Sequence, residues 1–278
     1  MQQVLAVVFA VAISALPGAQ GFDVDPALEA GFRDMYGMNF DGCETRFTEY
    51  KRVHPTDPFG DAALAACILF KEFNRVEVLD AEFYTDDKKL FGDRKIAPDP
   101  EVKRRLTSAT DRAIELANGM LRQNAQSQQA LFARAMANGL MADYGALVER
   151  RYLASSKLGR AALDDANTLL RVNPSFYDAY IWPGVANYVV GSLAFPLRWL
   201  AKLRGYPGDK ERGIADLQLA ADKGTLLKPY AKILLVVTSL RSKNRTAAHT
   251  LLVELSAEFP TNSLFAKHAR RLDPAVAR

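Results

Sequence analysis

The side chains that most often perform catalysis are scattered along this sequence. The three histidines, His54, His249 and His268, are far apart, and none lies in the HExxH pattern that places two zinc ligands on one helix face. Adjacent carboxylates such as Asp164 and Asp165 point in different directions on a helix, which is typical of a solvated surface rather than of paired acid–base catalysis. The sequence therefore predicts no catalytic and no metal-ligating residue.

Nucleotide-binding and nucleophile motifs are missing too. The stretch Gly205 to Lys210, GYPGDK, lacks the glycine spacing of a phosphate-binding loop and the Ser or Thr after its lysine. The sequence contains no GxSxG nucleophile turn. No cofactor is predicted. An enzyme with unknown chemistry stays an alternative, because a site assembled from distant residues leaves no linear pattern.

The two cysteines, Cys43 and Cys67, each lie inside an apolar helical pattern. An oxidising compartment would allow them to pair. However, the helix-packing pattern requires a small residue at Cys43, and a free cysteine behaves as a small buried hydrophobe. The sequence favours two structural thiols, with a disulfide as the alternative.

An unusual segment lies between Tyr188 and Gly213. Its apolar residues alternate with basic ones, and the set comprises Phe195, Leu197, Arg198, Trp199, Leu200, Lys202, Leu203 and Arg204. A helix of residues 195–204 would either pack its Trp face against the protein, with the basic groups reaching water, or lie on an anionic membrane surface. Pro196 and Arg198 interrupt the apolar run, so a membrane span is not predicted.

The elements around these residues are predicted to form helical hairpins. From Leu158 to Tyr188, small Ala162 and Ala166 are followed by Pro174, which ends one helix, and by a second helix with aromatic residues. A small residue precedes a proline by twelve positions three times, in the pairs Cys43 and Pro55, Ala162 and Pro174, and Ala248 and Pro260. We predict an all-α fold of about five antiparallel hairpins with insertions at about 74–100 and 189–209.

Two further helices are predicted. One is a long helical stretch from Gln128 to Tyr152, and the other is a terminal helix from Asn262 to Leu272, which we call the closing helix. The closing helix would turn His268, Arg270 and Arg271 outward, as the polar end that a repeat array needs to avoid polymerising.

This order of small, large and proline positions resembles the tetratricopeptide repeat (TPR), whose unit has about 34 residues. The chain is also similar to an uncharacterised group of exported bacterial TPR proteins, through the stretches LFKEFNR, GLMADYGALVERRYLAS, YVVGSLAFPLRWLAKLRGYPGDKERG and FPTNSLF. The resemblance implies a TPR-like α-solenoid that binds a protein or peptide partner in a groove. It implies no activity.

The beginning of the chain indicates export. Val4 to Leu16 is almost unbroken in its apolar character, and Ala19 and Gly21 supply small residues for cleavage. We predict a secretory signal peptide over residues 1–21, a repeat domain over 22–278, and a location in the periplasm or cell envelope. An uncleaved membrane anchor, the alternative, would need a longer apolar run.

Composition limits the classes of partner. The chain has 278 residues, 49% of them apolar and 24% charged, with a net charge of +4 and a pI near 9.0. The basic surplus is spread along the chain, whereas nucleic-acid binders concentrate far more charge on one face. No nucleic-acid partner is predicted.

We expect the partner to bind between the helices Gln128 to Asp143 and Phe176 to Val190, beside the 189–209 insertion. Large aromatics most often anchor interfaces. The predicted partner-binding residues are Phe132, Met136, Tyr180, Ile181, Asn187, Tyr188, Arg198 and Trp199. The function that follows is an exported, non-enzymatic binding scaffold. The alternative is a peripheral envelope protein that contacts the membrane through residues 195–204.

Overall fold

The computed structural model describes residues 25–79, 97–193 and 208–273, where the chain forms helices and no strand. The predicted all-α solenoid is confirmed. The helices are α1 (Pro26–Tyr36), α2 (Phe40–Val53), α3 (Pro58–Arg75), α4 (Pro100–Gln123), α5 (Gln128–Leu147), α6 (Tyr152–Val172), a 3₁₀ helix (Tyr177–Tyr180), α7 (Ile181–Gly191), α8 (Lys210–Lys223), α9 (Lys228–Arg241), α10 (Arg245–Glu258) and α11 (Ser263–Leu272).

Consecutive helices pack as hairpins. The pairs are α1 with α2, α3 with α4, α5 with α6, the 3₁₀ helix and α7 with α8, and α9 with α10, while α11 packs on α10. The first helices of successive hairpins also contact one another, as α1 does α3 and α3 does α5. Trp182 of α7 packs against Phe132 of α5 in the same way, and we call the layer formed by these first helices the inner layer.

Helix starts are set by side chains that accept hydrogen bonds from otherwise unpaired backbone N–H groups. The capping residues are Asp25, Asn39, Asp57, Asp99, Ser127, Asp209, Asn244 and Asn262. Helices α1, α3, α4 and α9 also carry a proline in the first turn, where its missing N–H costs no intrahelical bond.

The small residues of the repeat lie where two helices approach closely. Cys43, Ala162, Ala166 and Ala248 have no exposed surface. A side chain at Gly31 of α1 would collide with the Phe47 ring of α2. The predicted packing role of these positions is therefore confirmed.

The long helical stretch predicted as far as Tyr152 was wrong, because α5 ends at Leu147. Arg150 adopts a left-handed backbone conformation with φ of 58°, and the Arg151 N–H donates to the Gly145 carbonyl over 2.7 Å. This tight turn lets α6 begin at Tyr152 and pack back along α5.

The two cysteines form a disulfide, so the preference for free thiols was wrong. Cys43 of α2 and Cys67 of α3 have Cα atoms 6.2 Å apart. Both residues are fully buried. Cys43 thus satisfies the need for a small residue in the helix packing, and its disulfide with Cys67 also joins the first hairpin to the second.

The last hairpin and α11 close onto the first hairpin. The Tyr36 hydroxyl donates a hydrogen bond of 3.1 Å to the Leu226 carbonyl. Thr261 Oγ1 donates to the Gly37 carbonyl over 2.9 Å. The Asn262 amide donates to the Tyr36 carbonyl over 2.8 Å. The loops before α9 and α11 therefore lie against the C-terminal end of α1.

Aromatic and apolar groups continue this closure. The Tyr36 ring lies 5.6 Å from the Phe259 ring and 5.9 Å from the Phe70 ring, measured between centroids. His268 of α11 faces this contact and is only 5% exposed. The prediction that His268 points outward was therefore wrong, whereas Arg270 and Arg271 are exposed as expected.

None of the helices in the described ranges combines the length and the apolar character that a membrane span requires.

Candidate functional site

The inner layer at α5 and α7 contains most of the predicted partner-binding residues. Phe132, Met136, Ile181 and Tyr188 are core residues, with exposed fractions of 0%, 4%, 4% and 8%. Tyr180 and Asn187 are half-buried. Arg198 and Trp199 lie outside the described residues. Partner binding at this set stays a prediction.

A ladder of aromatic rings explains why large side chains recur on the first helices. The Phe132 ring stacks on Phe59 at 5.2 Å and packs against Phe176 at 4.8 Å and Trp182 at 5.8 Å. These rings belong to successive hairpins, and aromatic pairs at such spacings stabilise a core beyond their buried area. The aromatics that resemble partner anchors in the sequence therefore hold the hairpins together.

The two half-buried residues of the predicted set make contacts within the protein. The Tyr180 hydroxyl donates to the Pro174 carbonyl over 3.1 Å. The Asn187 amide donates to Asp216 Oδ2 of α8 over 3.5 Å, a long hydrogen bond. A partner that recognised Asn187 would therefore compete with Asp216.

Trp182 is a candidate contact residue that the sequence analysis missed. It lies one residue after the start of α7 and is half-buried. Its indole nitrogen lies against α5 where Gly139 has no side chain, because a Cβ there would be 2.8 Å from Nε1. Gly139 in the interior of α5 was the available signal, since it leaves room for a large ring from the neighbouring helix.

A partly buried ion pair joins α5 to α6. The Arg134 guanidinium donates two hydrogen bonds to the Asp165 carboxylate of α6, at 2.8 and 2.6 Å, and a third to Asn118 of α4 at 2.6 Å. The hydrogen bonds to Asp165 raise the pKa of Arg134. Such two-point pairing is geometrically specific. The hydrogen bonds of Arg134 therefore fix the orientation of α5 relative to α4 and α6.

Asp143 is a carboxyl group of α5 with a perturbed pKa. Burial raises its pKa from 3.8 to about 7, and a hydrogen bond from Tyr230 lowers it by less. Tyr230 Oη of α9 lies 3.3 Å from Asp143 Oδ2. Asp143 as a whole is nevertheless only half-buried. It therefore lies in a recess that water can reach but that protein surrounds.

A second carboxylate, Asp178, has a structural role. It accepts backbone hydrogen bonds from Thr225 at 3.0 Å and from Leu227 at 2.7 Å. Burial raises the pKa of Asp178, and these backbone hydrogen bonds oppose the rise. The contacts fix the loop between α8 and α9, which also carries the Leu226 carbonyl of the closure.

Within residues 25–79, 97–193 and 208–273 no group of three or more His, Cys, Asp or Glu side chains is arranged to hold a metal ion.

Comparison with known proteins gives a likeness in fold. No protein-family model matches the sequence, and no curated protein matches it. A crystal structure of a thermophilic TPR protein from Thermus thermophilus aligns with 88% of this chain and 97% of its own, with a TM-score of 0.46 and 14% identity.

Proposed function

We propose that this chain is an exported, non-enzymatic scaffold that binds an extended segment of a protein or peptide partner on the inner layer formed by α5 and α7. The observation that carries the proposal is Trp182, a half-buried indole on this layer beside the half-buried Tyr180 and Asn187. Aromatic side chains that are partly exposed on a rigid framework are the usual anchors of protein interfaces. Stacked hairpins provide that framework.

Export is supported by two features. The apolar segment Val4 to Leu16 has the length of a signal-peptide core. The Cys43–Cys67 disulfide suits an oxidising compartment, since disulfides are rare in reducing cytosol. We therefore place the scaffold in the periplasm or cell envelope.

The test uses a photo-crosslinking amino acid at position 187, beside Trp182. Crosslinking in envelope preparations is expected to yield one recurrent protein partner, and Trp182→Ala should reduce its yield about fivefold or more because loss of a central aromatic anchor weakens an interface by at least that factor. Crosslinking from position 53 on α2, where Val53 is 54% exposed, serves as the control. Equal yield from both positions, or no effect of Trp182→Ala in a folded protein, would contradict the proposal.

A second candidate function is contact with an anionic membrane surface. Tyr152 and Leu153 are 47% and 85% exposed at the turn between α5 and α6, directly after Arg150 and Arg151. The sequence of residues 195–204, which includes Arg198 and Trp199, carries the same combination of apolar and basic side chains. Exposed apolar groups with a basic fringe are typical of interfacial membrane contacts.

Flotation with phosphatidylglycerol vesicles separates the two functions. Membrane contact predicts co-flotation that Leu153→Ser weakens and that Val53→Ser, which removes an exposed apolar side chain at the opposite end, leaves unchanged. A protein that stays at the bottom of the gradient would exclude this second function while leaving the scaffold proposal intact.

A further inference from the structure

A narrow cleft lies where the last hairpin closes onto the first. It is bounded by the end of α1, the later parts of α3 and α5, and helices α9, α10 and α11. The space measures about 880 Å³ including its open mouth, yet the centre of a water molecule fits in only about 70 Å³ of it. Little of the enclosed space is wide enough for a water-sized group, which favours a slender ligand.

The walls of the cleft are almost entirely apolar. The described residues that line it include no Lys, Arg, Asp or Glu, and six representative ones are Met35, Met38, Phe73, Ile233, Val237 and Phe265. Two of its polar groups are used by the closure itself, because Tyr36 donates to Leu226 and Asn262 donates to Tyr36. Apolar ligands bind such a space since they exclude water from apolar surface.

One polar group connects the cleft with a carboxylate. The Tyr230 ring lines the cleft, and its hydroxyl donates to Asp143. Asp143 precedes Leu147, another lining residue, by one turn of α5. Among the described residues, no Lys, Arg or His forms an ion pair with Asp143, and Tyr230 is its hydrogen-bond partner. A carboxylate in such surroundings is stabilised by a cation.

We propose that this cleft, with the Asp143 carboxylate beside it, binds an unbranched alkyl chain that ends in an ammonium group. The alkyl chain of the ligand replaces water along the apolar walls. The ammonium group forms an ion pair with Asp143, which none of the described Lys, Arg or His side chains does. His268 also lines the cleft, so an alkyl carboxylate is the competing ligand chemistry that the experiment must distinguish.

The experiment is calorimetric titration of the purified chain with dodecylamine, dodecanoic acid and dodecanol, each below its critical micelle concentration. Dodecylamine is expected to bind saturably, at one site, and about tenfold or more tightly than either of the others, because only the amine pairs with the partly buried Asp143 carboxylate. Shortening it to octylamine should weaken binding more than about tenfold, because each buried methylene contributes about a fourfold factor.

Three variants locate the site. Asp143→Asn should weaken dodecylamine binding about tenfold or more, whereas Asp216→Asn, which removes another partly buried carboxylate, should change it less than about twofold, since it leaves the ammonium partner in place. Val237→Trp should fill the cleft and abolish binding, while Val253→Trp on the exposed face of α10 should not. If Val237→Trp fails to fold by circular dichroism, Leu264→Phe takes its place.

Non-saturable uptake of dodecylamine would overturn the proposal. So would dodecanoic acid binding as tightly as the amine, or Asp143→Asn binding dodecylamine as the wild type does.

Discussion

Replacing Cys43 and Cys67 together by alanine is expected to lower the free energy of unfolding by about 3 kcal/mol. The two residues are 24 positions apart, and a crosslink that closes a loop of this length restricts the unfolded chain by about that amount in the chain-entropy treatment. Both positions are fully buried beside helix crossings, and alanine is small enough to occupy them. Denaturant unfolding monitored by circular dichroism measures the difference.

Reduction of the wild type provides the control for this prediction. A reducing agent should lower the midpoint of the wild type towards that of the double variant, and the double variant should not respond to it. If wild type and double variant unfold at the same midpoint under non-reducing conditions, the crosslink contributes nothing and the prediction fails.

Asp143→Asn is expected to stabilise the protein at about pH 8 by about 1–3 kcal/mol and to have little effect at about pH 4. The pKa of Asp143 is about 7 in the folded protein against 3.8 as the ordinary value. The folded state therefore holds this proton more strongly, so the wild type loses stability as the pH rises from about 4 to 7. A pKa difference of this size corresponds to about 4 kcal/mol, and access of water to the recess reduces this.

The measurement is the unfolding free energy of both proteins at intervals from about pH 4 to about pH 9, a range that brackets both pKa values. Asp164→Asn, which removes an exposed carboxylate of α6, serves as the control and should not reproduce the gain in alkaline solution. A difference between Asp143→Asn and wild type that stays constant across the range would show that Asp143 ionises normally.

The helices and hairpins could be predicted because their signals are local. Capping residues such as Asp57 and Asp99 act on backbone groups within three positions. The small residues and prolines repeat at a fixed offset because each hairpin needs a small residue where its two helices pack closely and a proline after the helix ends. The hairpins therefore followed from the sequence, and the end of α5 at Leu147 did not, since apolar residues continue past it.

The closure could not be predicted from local patterns. Its hydrogen bonds join Tyr36 to Leu226 and Asn262 to Tyr36, positions on opposite ends of the chain. The burial of His268 likewise depends on contacts between α11 and distant parts of the chain, since it lines the same cleft as Met35 and Tyr36 of α1. The pairing of Cys43 with Cys67 could not be predicted either. A free cysteine and a disulfide-bonded one both fit a small buried position in a helix.

The candidate site was only partly predictable. The sequence pointed to α5 and α7 through their aromatics, but a ring that holds two hairpins together has the same pattern as a ring that holds a partner. Phe132 is fully buried within the ladder. Asp143 accepts a hydrogen bond from Tyr230, a residue of a distant hairpin, and the sequence does not show this contact. Contacts between hairpins, rather than helix faces, decide which of these residues a ligand can reach.

A double-mutant cycle between Tyr36 and Phe259 tests most directly whether the last hairpin closes onto the first. Unfolding free energies of Tyr36→Leu, Phe259→Leu and the double variant give the coupling between two rings whose centroids are 5.6 Å apart. The closed array predicts a coupling of about 0.5–1.5 kcal/mol, and the pair Phe47 and Phe259 should show none. Additive effects of Tyr36→Leu and Phe259→Leu would mean that the ends of the array do not meet.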